Sequence, residues 1–218
     1  MILARSRLLP FSSDLVSRRR CAAALVLLLA LPLAAAAEPK AAAPKADEFK
    51  NGVFDPPRMA PDFELLGSNG GALKLSQYRG KVVALAFGFT HCQKVCPLTL
   101  ANLASVSRQL GKEASALQVV YVTVDPARDD AARMKEFLGL FNPGFVGGTG
   151  SSAQVDAVRA AYGVTAQREA GEIENLGYQV HHSSSVYLID RAGKLRLLVP
   201  FGKSPDDIAH DVRLLLKS

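Results

Sequence analysis

The sequence predicts a single α/β domain built around a mixed β-sheet. Two long apolar runs, at residues 81–89 and 117–124, are each followed by an amphipathic helical pattern, as in parallel strands joined by helices. Near the C-terminus, residues 186–189 and 194–199 flank a glycine-containing turn and predict an antiparallel strand pair. One more helical pattern ends the chain. These patterns predict a sheet with helices on both faces.

The first 37 residues do not resemble part of a folded domain. A basic segment ends in three arginines at 18–20, and largely apolar residues 21–37 follow, closing on a run of alanines before Glu38. This order is typical of a secretory signal peptide. The apolar run is only slightly shorter than the ~20 residues that span a bilayer, so an N-terminal membrane anchor is the alternative. Cys21 opens the run instead of following it, which disfavours a lipid-modified mature N-terminus.

Residues 38–58 are rich in Ala, Pro and Lys and predict a flexible linker, so the folded domain is expected at 59–218. Residues 1–37 hold five of the 26 basic and one of the 20 acidic residues, which leaves 21 against 19 and a net charge of +2. Most of the basicity therefore belongs to the leader. This balance argues against a nucleic-acid-binding surface.

The first half of the domain begins with a predicted hairpin. Residues 63–66 and 72–75 are short apolar runs on either side of a glycine-rich turn, and they form an N-terminal hairpin extension. The run at 81–89 is apolar on both faces and predicts a central strand. A helix that stops at Gly111 follows it. Its apolar stripe consists of Leu100, Leu103, Val106 and Leu110.

The second half continues the alternation. After the strand at 117–124, a helix is predicted around Phe137, a short strand at 145–147 and a third helix around Val158. The polar segment 164–180 predicts an excursion or an edge hairpin. The antiparallel strand pair and the last helix complete the thioredoxin plan, in which chemistry is placed at the first strand-to-helix turn.

Two cysteines stand at that turn. Cys92 and Cys96 are the only cysteines beyond residue 37. A disulfide between residues so close together would staple very little of the fold, so reactive or metal-binding thiols are favoured. If Pro97 lies in the first helical turn, both sulfurs sit at the positive end of a helix, where thiolates are stabilised, and Lys94 adds to the effect. This serves metal binding and the exchange of a Cys92–Cys96 disulfide equally well.

The histidines that precede the late strand supply a third donor. His181 and His182 occupy the segment that faces the thiols in thioredoxin-like proteins, where a cis-proline is usual and none is present here. Two thiolates and an imidazole form a soft site that favours copper(I) or zinc. His91 is expected to point away and support the site by packing. His210 is expected to be a solvated helix residue.

Asp125 is predicted to be a turn residue that ends its strand. Asp125 and Pro126 begin the break in the chain, and Asp129 or Asp130 is expected to cap the next helix. A role for Asp125 in orienting groups of the site is the alternative reading.

Three motifs, in this order along the chain, are similar to those of the Sco/SenC family of thioredoxin-like copper proteins, over about residues 55–217. They read Phe89-Thr90-His91-Cys92-x-x-x-Cys96-Pro97, then Val-Thr-Val-Asp-Pro-Ala-Arg-Asp at 122–129, then His-Ser-Ser-Ser-Val-Tyr-Leu-Ile-Asp at 182–190. The resemblance implies that Cys92, Cys96 and His182 bind copper, as Cu(I), Cu(II) or both. It also implies delivery of copper to the dinuclear copper centre of cytochrome c oxidase during assembly, or reduction of the cysteines there.

Two departures from the family pattern matter. The family loop commonly reads Cys-Pro-Asp-Val-Cys, whereas Gln93 and Lys94 stand here. A cation in place of an acidic neighbour should weaken cation binding and favour free thiolates. The family usually has Asp before the ligand histidine, and here that position is His181, which could supply a fourth ligand.

The resemblance implies a copper chaperone without turnover of a small substrate. Its partners would be the copper-site subunit of cytochrome c oxidase, an upstream copper donor and a thiol reductant. It would act as a monomer in the periplasm or on the extracytoplasmic face, secreted or tethered through residues 21–37. The alternative is a dedicated thiol-disulfide reductase, in which Cys92 and Cys96 are redox thiols. Neither cysteine lies in a motif that matches a peroxiredoxin-type peroxidase.

Overall fold

The computed structural model describes residues 44–169 and 178–218. The predicted signal peptide or anchor at 1–37 and the first residues of the predicted linker lie outside these ranges. Within the described part, no helix is both long and apolar enough to cross a bilayer.

An eight-stranded mixed sheet forms the centre of the domain, in the order β1-β10-β9-β4-β5-β6-β2-β3. Strands β4, β5 and β6 are parallel, and the other neighbouring pairs are antiparallel. Its strands are β1 Gly52–Met59, β2 Glu64–Gly67, β3 Ala72–Lys74, β4 Val82–Gly88, β5 Leu117–Thr123, β6 Val146–Thr149, β9 Val186–Ile189 and β10 Lys194–Val199. A separate two-stranded sheet consists of β7 Ala166–Arg168 and β8 Val180–His182.

Helices cover both faces of the sheet, as predicted. They are α1 Val95–Leu110, α2 Ala131–Gly139, α3 Ser152–Tyr162 and α4 Pro205–Lys217. Phe87 of β4 packs against Tyr162 of α3, with ring centroids 5.7 Å apart. Tyr121 of β5 packs against Phe137 of α2 on the opposite face. Helix α4 packs against α1.

The elements predicted from apolar periodicity are present. The two central strands are buried along their whole length, because each is covered on both faces. The hairpin of β2 and β3 forms as predicted and joins the main sheet through β6. The predicted excursion at 164–180 corresponds to β7 and β8, which pair with each other in the separate sheet and not at an edge of the main sheet; residues 170–177 lie outside the described ranges.

The linker prediction is wrong from Phe49 onward. Residues 52–59 form β1, which pairs with β10 at the edge of the sheet, and Phe49 is only 8% exposed. Most side chains of β1 are exposed, so backbone pairing holds the strand and leaves no apolar alternation in the sequence. Polar contacts anchor the segment before it: the carboxylate of Asp211 in α4 accepts hydrogen bonds from the Lys50 amide at 2.9 Å and from Asn51 Nδ2 at 2.7 Å.

Candidate metal and thiol site

The two cysteines lie at the connection between β4 and α1, as predicted from the sequence. Cys92 lies in the connecting loop and is half-buried, whereas Cys96 lies in the first turn of α1 and is 2% exposed. Both are free thiols. The backbone N–H of Cys96 donates to Cys92 Sγ over 3.4 Å. Sulfur 92 therefore lies over the N-terminus of the helix.

The two thiols titrate very differently. The Cys96 thiol donates a hydrogen bond to Cys92 and, with the amides of residues 94–96, lowers the pKa of Cys92 to about 5, although partial burial opposes the change. The neighbouring Cys92 and burial together raise the pKa of Cys96. The pair therefore holds one proton near neutral pH, with a thiolate at Cys92 and a thiol at Cys96. The expected stabilisation of thiolate by the helix applies to Cys92 and not to Cys96.

The third predicted donor, His182, lies close to one of the two sulfurs. His182, the last residue of β8, places Nε2 3.5 Å from Cys96 Sγ. Its Nδ1 lies 2.8 Å from the carbonyl oxygen of Ser183, and because a carbonyl can only accept, Nδ1 carries the proton. The lone pair of Nε2 therefore points towards Cys96. Burial lowers the pKa of His182, so the ring is neutral and able to bind a metal near neutral pH.

The donors fit a soft metal ion, although they are not yet gathered around one point. Metal–sulfur and metal–nitrogen bonds of about 2.3 and 2.0 Å, at roughly 110–120°, would place two ligands of one ion about 3.5–3.7 Å apart. The Cys96–His182 separation of 3.5 Å matches this distance. Within residues 44–169 and 178–218, no three Cys, His, Asp or Glu side chains already surround a common point. Cys96 thus contacts both Cys92 and His182, and the three side chains would have to converge on one point to bind an ion.

The other histidines lie elsewhere. Successive residues of a strand point to opposite faces, so His181 faces away from the side that His182 occupies. It is exposed and places Nε2 3.1 Å from Glu169 Oε2. The structure therefore does not bring the possible fourth ligand to the thiols. His91 Nδ1 lies 3.2 Å from Thr90 Oγ1 and not against a sulfur, as expected. His210 is exposed as predicted, and its Nε2 also contacts the carbonyl oxygen of Glu48 at 3.0 Å.

A buried carboxylate supports the loop that carries Cys92. Asp129 is fully buried and accepts hydrogen bonds from the Thr90 amide at 3.0 Å, the Thr90 hydroxyl at 2.6 Å and the Thr123 hydroxyl at 2.7 Å. Of the two predicted helix caps, only Asp130 caps α2, by accepting from the Arg133 amide at 2.7 Å. Composition and spacing alone did not indicate this role of Asp129. Its position in the second family motif was the available signal.

Asp125 is more than a turn residue. It is 3% exposed and its carboxylate accepts a 2.6 Å hydrogen bond from the hydroxyl of Tyr178, at the start of the segment that leads into β8. Arg128 pairs with the same carboxylate. The turn assignment was correct for the backbone but incomplete for the side chain, because only the three-dimensional fold brings Tyr178 to Asp125.

Comparison with known proteins gives a consistent family. The SCO1/SenC family profile matches residues 53–217. An SCO2-like protein of Rickettsia felis is 33% identical over 69% of this chain and 74% of its own length. The human mitochondrial SCO2 homolog is 37% identical over 70% of this chain and 58% of its own length. The copper-bound structure of Bradyrhizobium japonicum ScoI is 32% identical and has a TM-score of 0.66, covering 72% of this chain and 99% of that one.

Proposed function

Since the chain belongs to the SCO1/SenC family, we propose that it is a copper-binding chaperone that delivers copper to the dinuclear copper centre of cytochrome c oxidase during assembly. Sco proteins are linked to copper binding and to assembly of that enzyme. The single observation that carries the proposal for this chain is the 3.5 Å approach of His182 Nε2 to Cys96 Sγ at the N-terminus of α1.

The donor set suits copper(I). Thiolate sulfur and imidazole nitrogen are soft ligands, and Cu(I) takes them in preference to hard oxygen ligands. Cys92, Cys96 and His182 would supply three such donors, while Cu(II) would need one more, such as water. Phe89 packs edge-on against the His182 ring at 5.9 Å and limits its rotation.

Charge states give an order to the binding steps. Cys92 is already a thiolate near neutral pH because its pKa is about 5. It meets the ion first, and His182 presents a neutral ring. The Cys96 thiol must then lose its proton to solvent, so loading releases one proton at this position. Transfer to a partner proceeds by ligand exchange, in which thiolates of the acceptor replace Cys92, Cys96 and His182 one at a time.

The same thiol pair favours a second candidate function, a dedicated thiol-disulfide reductase. The half-buried Cys92 thiolate attacks a partner disulfide, forms a mixed disulfide and releases one partner thiolate. The buried Cys96, once deprotonated, attacks Cys92 sulfur, releases the second partner thiolate and closes the Cys92–Cys96 disulfide. Two electrons pass to the partner, and an external dithiol must restore the pair.

For location, we place the protein in the periplasm or on the extracytoplasmic face, secreted or tethered through residues 21–37. There it would act as a monomer that receives copper from an upstream donor. A thiol reductant would keep Cys92 and Cys96 reduced, because an oxidising compartment otherwise favours their disulfide.

Replacement of His182 by Ala separates the two functions. Cu(I) affinity should fall by more than the ~10–100-fold that losing a supporting contact costs, because a direct ligand is lost. Reduction of a disulfide substrate by the metal-free protein should stay within about two-fold, since exchange needs only sulfur. The measurement is a competition titration of the reduced protein with a chromophoric Cu(I) chelator.

His181→Ala is the matched control, because it removes the adjacent, outward-facing imidazole and should bind copper as the wild type does. Cys92→Ser and Cys96→Ser should each lose tight binding. Unchanged Cu(I) affinity in His182→Ala would refute the copper assignment, and tight binding by either serine variant would refute the two-thiolate site.

A further inference from the structure

The ribbon of β7 and β8 carries His182 but is not hydrogen-bonded into the main sheet within the described residues. The position of His182 therefore depends on side-chain contacts. We propose that Tyr178, hydrogen-bonded to Asp125 and stacked between Arg128 and Arg168, is the positioning residue that holds this ribbon, and with it the His182 imidazole, against the thiols. The role in copper binding rests on the proposed function.

Tyr178 is held on both faces and at its tip. The guanidinium carbons of Arg128 and Arg168 each lie 3.7 Å from the centre of its ring, in cation–π geometry. Its hydroxyl donates to Asp125 Oδ1 at 2.6 Å and accepts from Arg168 at 3.1 Å. Arg128 also donates to the Tyr178 carbonyl oxygen at 3.0 Å. The hydroxyl and the carbonyl oxygen of Tyr178 therefore both bond to the β5–α2 turn, and the hydroxyl also bonds to β7 through Arg168.

Electrostatics favour this arrangement. Two guanidinium groups and one carboxylate surround a neutral phenol, and Asp125 is 3% exposed, so its charge is poorly screened by water. Burial and the nearby Asp125 carboxylate raise the pKa of Tyr178. The phenol therefore remains a proton donor to Asp125 throughout the physiological range.

A line of contacts connects the clamp with the metal site. Arg128 lies between two rings, since its guanidinium is 3.7 Å from the centre of Tyr178 and 5.8 Å from the centre of Phe89. Phe89 in turn meets the His182 ring edge-on at 5.9 Å. Phe89 lies in the loop that leads to Cys92. The clamp therefore fixes the imidazole relative to the sulfurs without touching either sulfur.

The ribbon has further attachments to the domain. Ala166 of β7 and Val180 of β8 are partly buried and pack against the hydrophobic core. Arg159 of α3 donates to the Ala166 carbonyl oxygen at 3.4 Å. Ser183 and Thr165 bond to each other across the base of the ribbon, which joins its two strands but does not tie them to the sheet. Within the described part of the ribbon, the Tyr178 cluster combines two hydrogen bonds to the β5–α2 turn with the stacking of Arg128 on the Tyr178 ring.

The test uses two variants of graded severity. Tyr178→Phe keeps the ring between the arginines and removes the bond to Asp125, and Tyr178→Ala removes both. We expect Cu(I) affinity to fall about 3–10-fold in the first and about 10–100-fold in the second, the range for losing groups that orient a metal ligand. In the metal-free protein, amide hydrogen exchange at 180–182 should accelerate in the same order. Gln167→Ala, on an exposed position of the same ribbon, is the matched control and should change neither quantity.

Two further measurements distinguish positioning of His182 from a general loosening of the fold. If Tyr178 only positions the ribbon, the alkylation rate of Cys92 and the midpoint potential of the Cys92–Cys96 pair should stay at wild-type values in both variants, because the clamp does not contact the thiols. A general loosening would change these two quantities as well. Wild-type affinity and wild-type exchange in Tyr178→Phe and Tyr178→Ala would overturn the inference. If Tyr178→Ala does not fold, the Tyr178→Phe variant decides alone. If His182→Ala binds copper with wild-type affinity, the proposed function is refuted. The amide hydrogen exchange rates at 180–182 still test whether Tyr178 holds the ribbon.

Discussion

At the scale of single residues, the two cysteines of the site differ in exposure and in thiol pKa. Cys92 is half-buried over the helix N-terminus and its pKa falls to about 5, while Cys96 is 2% exposed and its pKa is raised. The environment, and not the residue type, makes Cys92 a thiolate near neutral pH, which is the form that the proposed roles as nucleophile or first metal contact require. Cys96 remains a protonated thiol and can react only after it loses its proton.

This asymmetry predicts the pH dependence of alkylation. An ordinary thiol reacts faster as pH rises through about 8.5, because only the thiolate reacts. Since the pKa of Cys92 is lowered to about 5, its reaction with iodoacetamide should already be near its plateau at pH 7 and should fall only as pH drops towards 5. The rate is followed by mass spectrometry of the reduced, metal-free protein.

Cys96→Ala and Cys92→Ser complete the experiment on alkylation. Cys96→Ala removes the hydrogen bond that the Cys96 thiol donates to Cys92, so the midpoint for Cys92 should move upward. The remaining thiol in Cys92→Ser is buried and should react slowly at neutral pH. A midpoint near 8.5 for Cys92 in the wild type would contradict the charge state described above.

Composition and spacing predict the chemistry of the donors, but of the two adjacent imidazoles only the family motif at 182–190 pointed to His182. His181 and His182 are equivalent in composition and in distance along the chain from the thiols. The alternation of β8 selects His182, and that alternation becomes visible only once the pairing of Ala166 with His182 fixes the ribbon. Asp129 and Tyr178 were missed for the same reason, because their partners are 39 and 53 residues away.

At the scale of elements, the junction between β4 and α1 needs a residue without a side chain. A Cβ on Gly88, the last residue of β4, would lie 2.0 Å from Tyr121 Oη and 2.8 Å from Cys96 Sγ. The buried phenol of β5 and the sulfur of α1 thus occupy the space that a side chain would need. This close approach is what brings Cys96 down onto the sheet.

Gly88→Ala should therefore destabilise the fold and displace Cys96. Overpacking of a core costs about 1–3 kcal/mol, and a contact this short places the expected loss in the free energy of unfolding at the upper end or above. Urea denaturation measures it. Gly139→Ala, at the end of α2 with nothing within 4 Å of the new Cβ, is the control and should be neutral or stabilising by up to about 1 kcal/mol.

A double variant identifies the cause of the Gly88→Ala loss. Tyr121→Phe removes the oxygen nearest to the new methyl group, although the ring carbon remains at 2.7 Å. Gly88→Ala should cost less in the Tyr121→Phe background than in the wild type. An equal loss in both backgrounds would mean that the phenol is not the obstacle.

Elements defined by burial were predictable, whereas elements defined by backbone pairing were not. Strands β4 and β5 are buried at every position, so their apolar runs identify them. Strand β1 exposes most of its side chains and pairs only with β10, so its Pro-containing sequence resembled a linker. The information that makes it a strand lies in the edge that β10 offers.

At the scale of the whole molecule, the two ends of the described chain lock together far from the thiols along the sequence. Phe49 is buried, and Arg196 of β10 lies 5.7 Å from the centre of its ring. Asp211 of α4, fully buried, holds Lys50 and Asn51. The N-terminal segment thus closes one edge of the sheet and packs it against the last helix.

Asp211→Ala should open this lock and leave the metal site intact. It leaves the side-chain amide of the buried Asn51 without its acceptor, and an orphaned buried donor costs about 1–3 kcal/mol. The Lys50 amide also loses its acceptor, but water can partly replace it because Lys50 is exposed, so the free energy of unfolding should fall by about 1–3 kcal/mol. Trypsin should cleave after Lys50 faster than in the wild type, because β1 is then released more often.

Asp206→Ala is the control for this experiment. It removes an exposed carboxylate in the first turn of the same helix and should lower the free energy of unfolding by less than about 1 kcal/mol. Cu(I) affinity should stay within about two-fold of wild type in both variants, since sites without shared partners behave independently. Equal stability losses in the two variants would show that Asp211 is not an anchor, and a large loss of affinity in Asp211→Ala would show that the N-terminal lock and the metal site are coupled.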